Sequence, residues 1–83
     1  MKKVKDKTLF VIQGNYLREL RKLQNKSQVQ VSNEVGKSKQ WLSDIENGKN
    51  DIFYSDLVKV LKCYDVDLNT ATKELNRRMF GNK

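Results

Sequence analysis

Between Ser27 and Gly48 helix start and stop signals follow one another so closely that only short helices joined by tight turns fit between them. Ser27 with Gln30 three positions on spells the S-x-x-Q capping box, in which each side chain satisfies the other residue's free backbone N–H. Val31 and Val35 continue one face, and Gly36 ends the segment with the freedom to turn left-handed that a sharp helix exit demands. Ser38 opens the next helix as its N-cap, Leu42 and Ile45 mark its inside, and Asn47-Gly48 stops it. Two helices of about two turns each around a three- to four-residue turn make a helix-turn-helix. Ser32, one turn before Gly36, is small enough for the two to cross closely.

The flanking sequence has the same periodicity. A first helix is predicted from near Gln13 to Gln24, with Leu17, Leu20 and Gln24 on one face. A fourth lies between Phe53 and Tyr64 with Leu57, Val60, Leu61 and Tyr64 aligned, and a fifth runs from about Asp67 to Met79 with Leu68, Ala71, Thr72, Leu75 and Met79 aligned. No stretch alternates as a strand does. The expectation is therefore all-α: five helices, organised as a basic arm over 1–8, a helix-turn-helix domain over 9–66 and a C-terminal helix over 67–83.

Composition narrows the function. The 83 residues carry 17 Lys and Arg against 10 Asp and Glu, a net charge of +7 that favours a polyanionic partner, nucleic acid before an anionic membrane. There is no histidine and one cysteine, which excludes Ser/His and Cys/His catalysis, four-ligand zinc sites and a disulfide framework. With no Gly-rich phosphate loop and no G-x-S-x-G motif, the chain reads as a non-enzyme without cofactor, metal or small-molecule ligand. The apolar run Leu9–Ile12 is too short for a signal peptide or a membrane span, so a cytoplasmic location is expected.

A helical wheel of the third helix, with Leu42 and Ile45 inside, turns Gln40, Ser43, Asp44 and Asn47 outward, flanked by Lys39 and Trp41. Any solvated helix face is polar, but this one is mainly amide and hydroxyl beside Lys37, Lys39 and Lys49, the equipment that pairs with base edges and phosphates. Arg21 falls on the inner face of the first helix, where an unpaired guanidinium is costly. It either pairs with Glu46, at the inner edge of the third helix, or reaches out to water.

From Gly14 to Leu68 the sequence resembles the Cro/C1-type helix-turn-helix family of phage repressors and small bacterial regulators. The resemblance is carried by Leu17, Leu20 and Arg21, by Ser27-Gln28, by Ser32, Val35 and Gly36, by Ser38, Trp41-Leu42-Ser43 and Ile45-Glu46-Asn47-Gly48-Lys49, and by Leu57, Val60, Leu61, Val66 and Leu68. It implies a compact lambda-repressor-like fold and a transcriptional regulator, a repressor, binding double-stranded DNA as a dimer on a palindromic operator. Lys39, Gln40, Ser43 and Asp44 match the base-reading positions. Gln28, Ser38, Trp41, Asn47 and Lys49 match positions against the DNA backbone, and Arg21 with Glu46 matches a structural ion pair.

The chain departs from the family at several positions. Asn25 and Lys26 replace a glycine and an apolar residue, Lys37 replaces an apolar turn residue, and Ile52 stands where proline is frequent. Asp44 puts a carboxylate toward a phosphate-rich groove, where it either accepts from a cytosine N4 or pairs with a neighbour such as Lys39. The lysine arm either follows phosphates or is solvated. The apolar stripe Leu68, Ala71, Leu75 and Met79 either caps its own domain or, the preferred reading, forms the homodimer interface. The competing function is a protein-interaction module on the same scaffold, as in an antitoxin or anti-repressor.

Overall fold

The backbone turns decide how the helices meet. The structure, a computed structural model, describes residues 6–81, in which α1 (Asp6–Leu23), α2 (Gln28–Val35), α3 (Lys39–Glu46), α4 (Tyr54–Cys63) and α5 (Leu68–Phe80) follow one another without a strand. Into α2, the Ser27 Oγ accepts from the Gln30 N–H at 3.1 Å and the Gln30 Oε1 accepts from the Ser27 N–H at 2.8 Å. Out of α2, Gly36 adopts φ 75° and lets the Lys37 N–H return to the Ser32 carbonyl at 2.8 Å. Ser38 caps α3 by accepting from the Trp41 N–H, and Asp67 caps α5 by accepting from the Thr70 N–H. Asn25 and Asp65 take φ of 56° and 60° after α1 and α4. Their short polar side chains tolerate the left-handed region, so Asn25 does the work of the glycine it replaces.

α3 packs between α1 and α2, α2 leans on α4, and α5 closes against α1 and α4. The core they share is Leu17, Val31, Val35, Leu42, Ile45, Ile52, Val60, Leu61, Tyr16, Tyr64 and Ala71, with Leu20, Leu57, Val66 and Leu68 packed around it. The two lysines that replace apolar residues keep their charges paired at the rim. Lys26 Nζ meets Glu34 at 3.1 Å and donates to the Cys63 carbonyl, and Lys37 Nζ meets the buried Asp56 at 3.5 Å while lying over the Trp41 ring.

The start of α1 differs from the sequence expectation. The helix begins at Asp6 rather than near Gln13, so Asp6–Thr8 of the basic arm are helical, while residues 1–5 with Lys2, Lys3 and Lys5 lie outside the described residues. Gly14 is not a helix breaker but a crossing point. A Cβ there would collide with the Ile45 carbonyl and lie 2.7 Å from that of Glu46, so α1 rests directly on the last turn of α3. Beyond the crossing Val11 covers Gly48, and Gln13 Nε2 donates to Asp51 Oδ1 at 3.0 Å, holding the loop that follows α3.

The C-terminal stripe also needs correcting. Ala71 is 1% exposed and lies in the core, while Leu68 and Leu75 pack against that core and Met79 is half-buried. Ala71, Leu68 and Leu75 are packed within their own domain, where α5 closes against α4 and against the part of α1 that carries Tyr16 and Glu19. Arg78 clasps the pair of helices from outside. It donates to Glu19 on α1 and Glu74 on α5 and stacks its guanidinium over the Tyr16 ring. Hydrogen bonds from Arg77 and then Arg78 hold the Glu74 carboxyl at about 2, and the bond from Arg78 lowers Glu19 below its ordinary value.

Candidate nucleic-acid interface

The last turn of α3 is anchored from beneath by one buried carboxylate. Glu46 is 1% exposed, and Arg21 grips it with two bonds, Nε to Oε2 at 2.7 Å and Nη2 to Oε1 at 3.0 Å, while Arg21 Nη1 donates to the Lys26 carbonyl. The hydrogen bond to Glu46 is the main reason the Arg21 guanidinium is pushed further into its charged form. Gln28, the first residue of α2, donates Nε2 to Glu46 Oε1 at 2.9 Å. One carboxylate thus ties α1, the start of α2 and the end of α3 together, which fixes how far the outer face of α3 projects.

Arg18 is a member of this cluster that the sequence reading missed. Its Nη2 donates to the Glu46 carbonyl at 3.1 Å and to Asn47 Oδ1 at 2.7 Å, and its Nε lies 3.6 Å from the Glu46 carboxylate. The signal was present, since Arg18 is three residues before Arg21 and shares its face. Because Asn47 spends its oxygen on Arg18, its NH2 group turns to the other side, 3.4 Å from Ser43 Oγ. The end of α3 therefore shows donors to solvent, as phosphate contact requires.

The outer face itself is open. Lys39, Gln40 and Asn47 are exposed, as are Lys49 and Asn50 beyond them, and Ser43 and Asp44 are half-buried. Gln40 Nε2 donates to Asp44 Oδ1 at 2.8 Å, so Asp44 is engaged by an amide one turn away rather than by Lys39. Trp41 is half-buried under Lys37, packs against the core and presents only part of its ring. Ser38 has its oxygen occupied as the cap of α3, which leaves its O–H as a donor. Gln28, Ser43, Asn47 and the lysines thus converge on one surface, whereas Leu68, Ala71, Leu75 and Met79 belong elsewhere.

Among the described residues no group of His, Cys, Asp or Glu is placed to hold a metal ion, and no helix is long and apolar enough to cross a membrane. A family model described as helix-turn-helix matches residues 17–70, well over half of the chain. The chain belongs to the Cro/C1-type helix-turn-helix family. No curated protein and no solved structure compared with it matches significantly. As a member of the Cro/C1-type family it is a DNA-binding helix-turn-helix regulator, of a family that is generally non-enzymatic. The matched span covers the capped turn, the Glu46 anchor and the exposed face of α3, so the family assignment and the site fall on the same residues.

Proposed function

We propose that this chain is a cytoplasmic, sequence-specific repressor that binds a palindromic operator in double-stranded DNA as a homodimer, with α3 in the major groove. The observation that carries this reading is the fixed presentation of an uncharged and basic face, Lys39, Gln40, Ser43 and Asn47, over a carboxylate anchor shared by three helices. Lys39, Gln40, Ser43 and Asp44 read base edges. Gln28, Ser38, Trp41, Asn47 and Lys49 contact the phosphate backbone and set the register. One such helix grips only a short site, which favours two copies on half-sites about 10 bp apart, centre to centre. With the α5 stripe covered, the exposed Phe53, Tyr54 and Val58 at the start of α4 offer apolar surface for the second copy.

Selection of bound duplexes from a random pool, followed by titration of Gln40→Ala, tests the proposal. Gln40 is exposed and belongs to no core contact, so the variant is expected to melt within about 0.5 kcal/mol of wild type. It should weaken the selected duplex roughly tenfold and random DNA hardly at all. Equal loss on both duplexes, or a pool from which nothing is enriched, contradicts base reading by α3.

A further inference from the structure

Resting on the reading of α3 as the base-reading helix, we infer that Gln40 and Asp44 act as one acceptor unit that selects cytosine in each half-site. A carboxylate accepts, so the atom of Gln40 that lies 2.8 Å from Asp44 Oδ1 is the amide nitrogen. This sets the amide of Gln40 without ambiguity. Its nitrogen faces along the helix toward Asp44, and its oxygen is turned away from the carboxylate. Asp44 Oδ2 takes no hydrogen bond and Asp44 forms no ion pair among the described residues. Lys39, one residue before Gln40, forms no ion pair with it. α3 therefore offers the groove two oxygens one turn apart, Gln40 Oε1 and Asp44 Oδ2, beside the donors of Lys39, Asn47 and Lys49.

The major-groove edges answer such a unit very unequally. Guanine shows two acceptors, N7 and O6, and thymine shows O4 beside a methyl group, so both repel a carboxylate. Adenine offers its N6 donor next to the N7 acceptor. Cytosine alone presents an N4 donor with no acceptor of its own beside it, so the carboxylate meets attraction without an adjacent penalty. A negative group in a basic interface, which looks like a defect in the face of α3, becomes its most discriminating member, because it repels guanine and thymine, meets a donor flanked by an acceptor on adenine, and meets an N4 donor without that penalty on cytosine.

Selections run in parallel with the full-length wild type and with Asp44→Asn test this. Wild-type sites should share a cytosine once per half-site, and Asp44→Asn sites should lose that requirement, because asparagine also donates. The cytosine is then replaced by N4-methylcytosine, which keeps the hydrogen that pairs with guanine and substitutes the one facing the major groove. Wild type should bind this duplex about tenfold more weakly, whereas Asp44→Ala, which has room for the methyl and no acceptor, should change less than about twofold. Enriched wild-type sites without a common cytosine, or equal losses for wild type and Asp44→Ala on the methylated duplex, overturn the assignment while leaving base reading by α3 intact. A wild-type pool in which no sequence is enriched overturns both.

Discussion

Arg21→Ala is expected to lower the unfolding free energy by about 3 kcal/mol, which removing one member of a buried ion pair costs at the lower end of its usual range. The loss arises less from the contact than from what remains, a Glu46 carboxylate with fully shielded side-chain oxygens. Two partners soften the effect. Gln28 still donates to Glu46 Oε1 at 2.9 Å, and Arg18 Nε lies 3.6 Å away. For a domain of this size that free energy corresponds to a fall in melting temperature of roughly 12–24 °C. Adding Glu46→Gln to the variant should recover part of the loss, since it removes the uncompensated charge. A scanning calorimetry or circular dichroism melt measures both, and a single variant that melts like wild type contradicts the anchoring role of Glu46.

Gly14→Ala is the second large effect, and its sign distinguishes packing from propensity. In an exposed helix interior the change from glycine to alanine gains up to about 1 kcal/mol. Here the new methyl would strike the Ile45 carbonyl and lie 2.7 Å from the Glu46 oxygen, which are backbone atoms that cannot rotate away. Overpacking of this kind costs about 1–3 kcal/mol or more. With rigid atoms on both sides the upper end applies, and a net destabilisation of about 2 kcal/mol follows once the propensity gain is subtracted. Since α1 and the last turn of α3 must separate, DNA affinity should fall with the melting temperature. A rise in melting temperature would mean that α1 does not cross α3 at Gly14.

Gly14 also shows where sequence reasoning loses its hold. The capped elements are legible, because a cap is a local device: Ser27 with Gln30, Gly36, Ser38 and Asp67 each act within four residues, and both ends of α2 and the starts of α3 and α5 follow them. A glycine mid-helix carries the same letter as a glycine in a turn, and only the approach of α3 explains why it is there, so the sequence alone starts α1 near Gln13, seven residues late. The stripe on α5 is legible only in part for a related reason. Periodicity identifies an apolar face but not the partner that covers it, and the partners here are α4 and the part of α1 around Tyr16 and Glu19. On the site, the wheel distinguished the inner Arg21 and Glu46 from the outer Gln40, Ser43, Asp44 and Asn47. It did not give the bonds between neighbours, Arg18 to Asn47 and Gln40 to Asp44, because several partners lay within reach of each side chain.

The central claim is that a basic surface around α3 holds DNA through phosphates and distinguishes sequences through base edges. A titration of one selected duplex and one scrambled duplex across a series of salt concentrations tests both halves at once. Two copies, each placing Lys49 and one further lysine on phosphates, predict that log K falls linearly with log salt at a slope of about −3.6, near −0.9 for each phosphate neutralised. The two duplexes should give nearly parallel lines with the selected one tighter throughout, since base contacts add affinity without releasing counterions. A slope near zero, or two lines that coincide, would contradict the account.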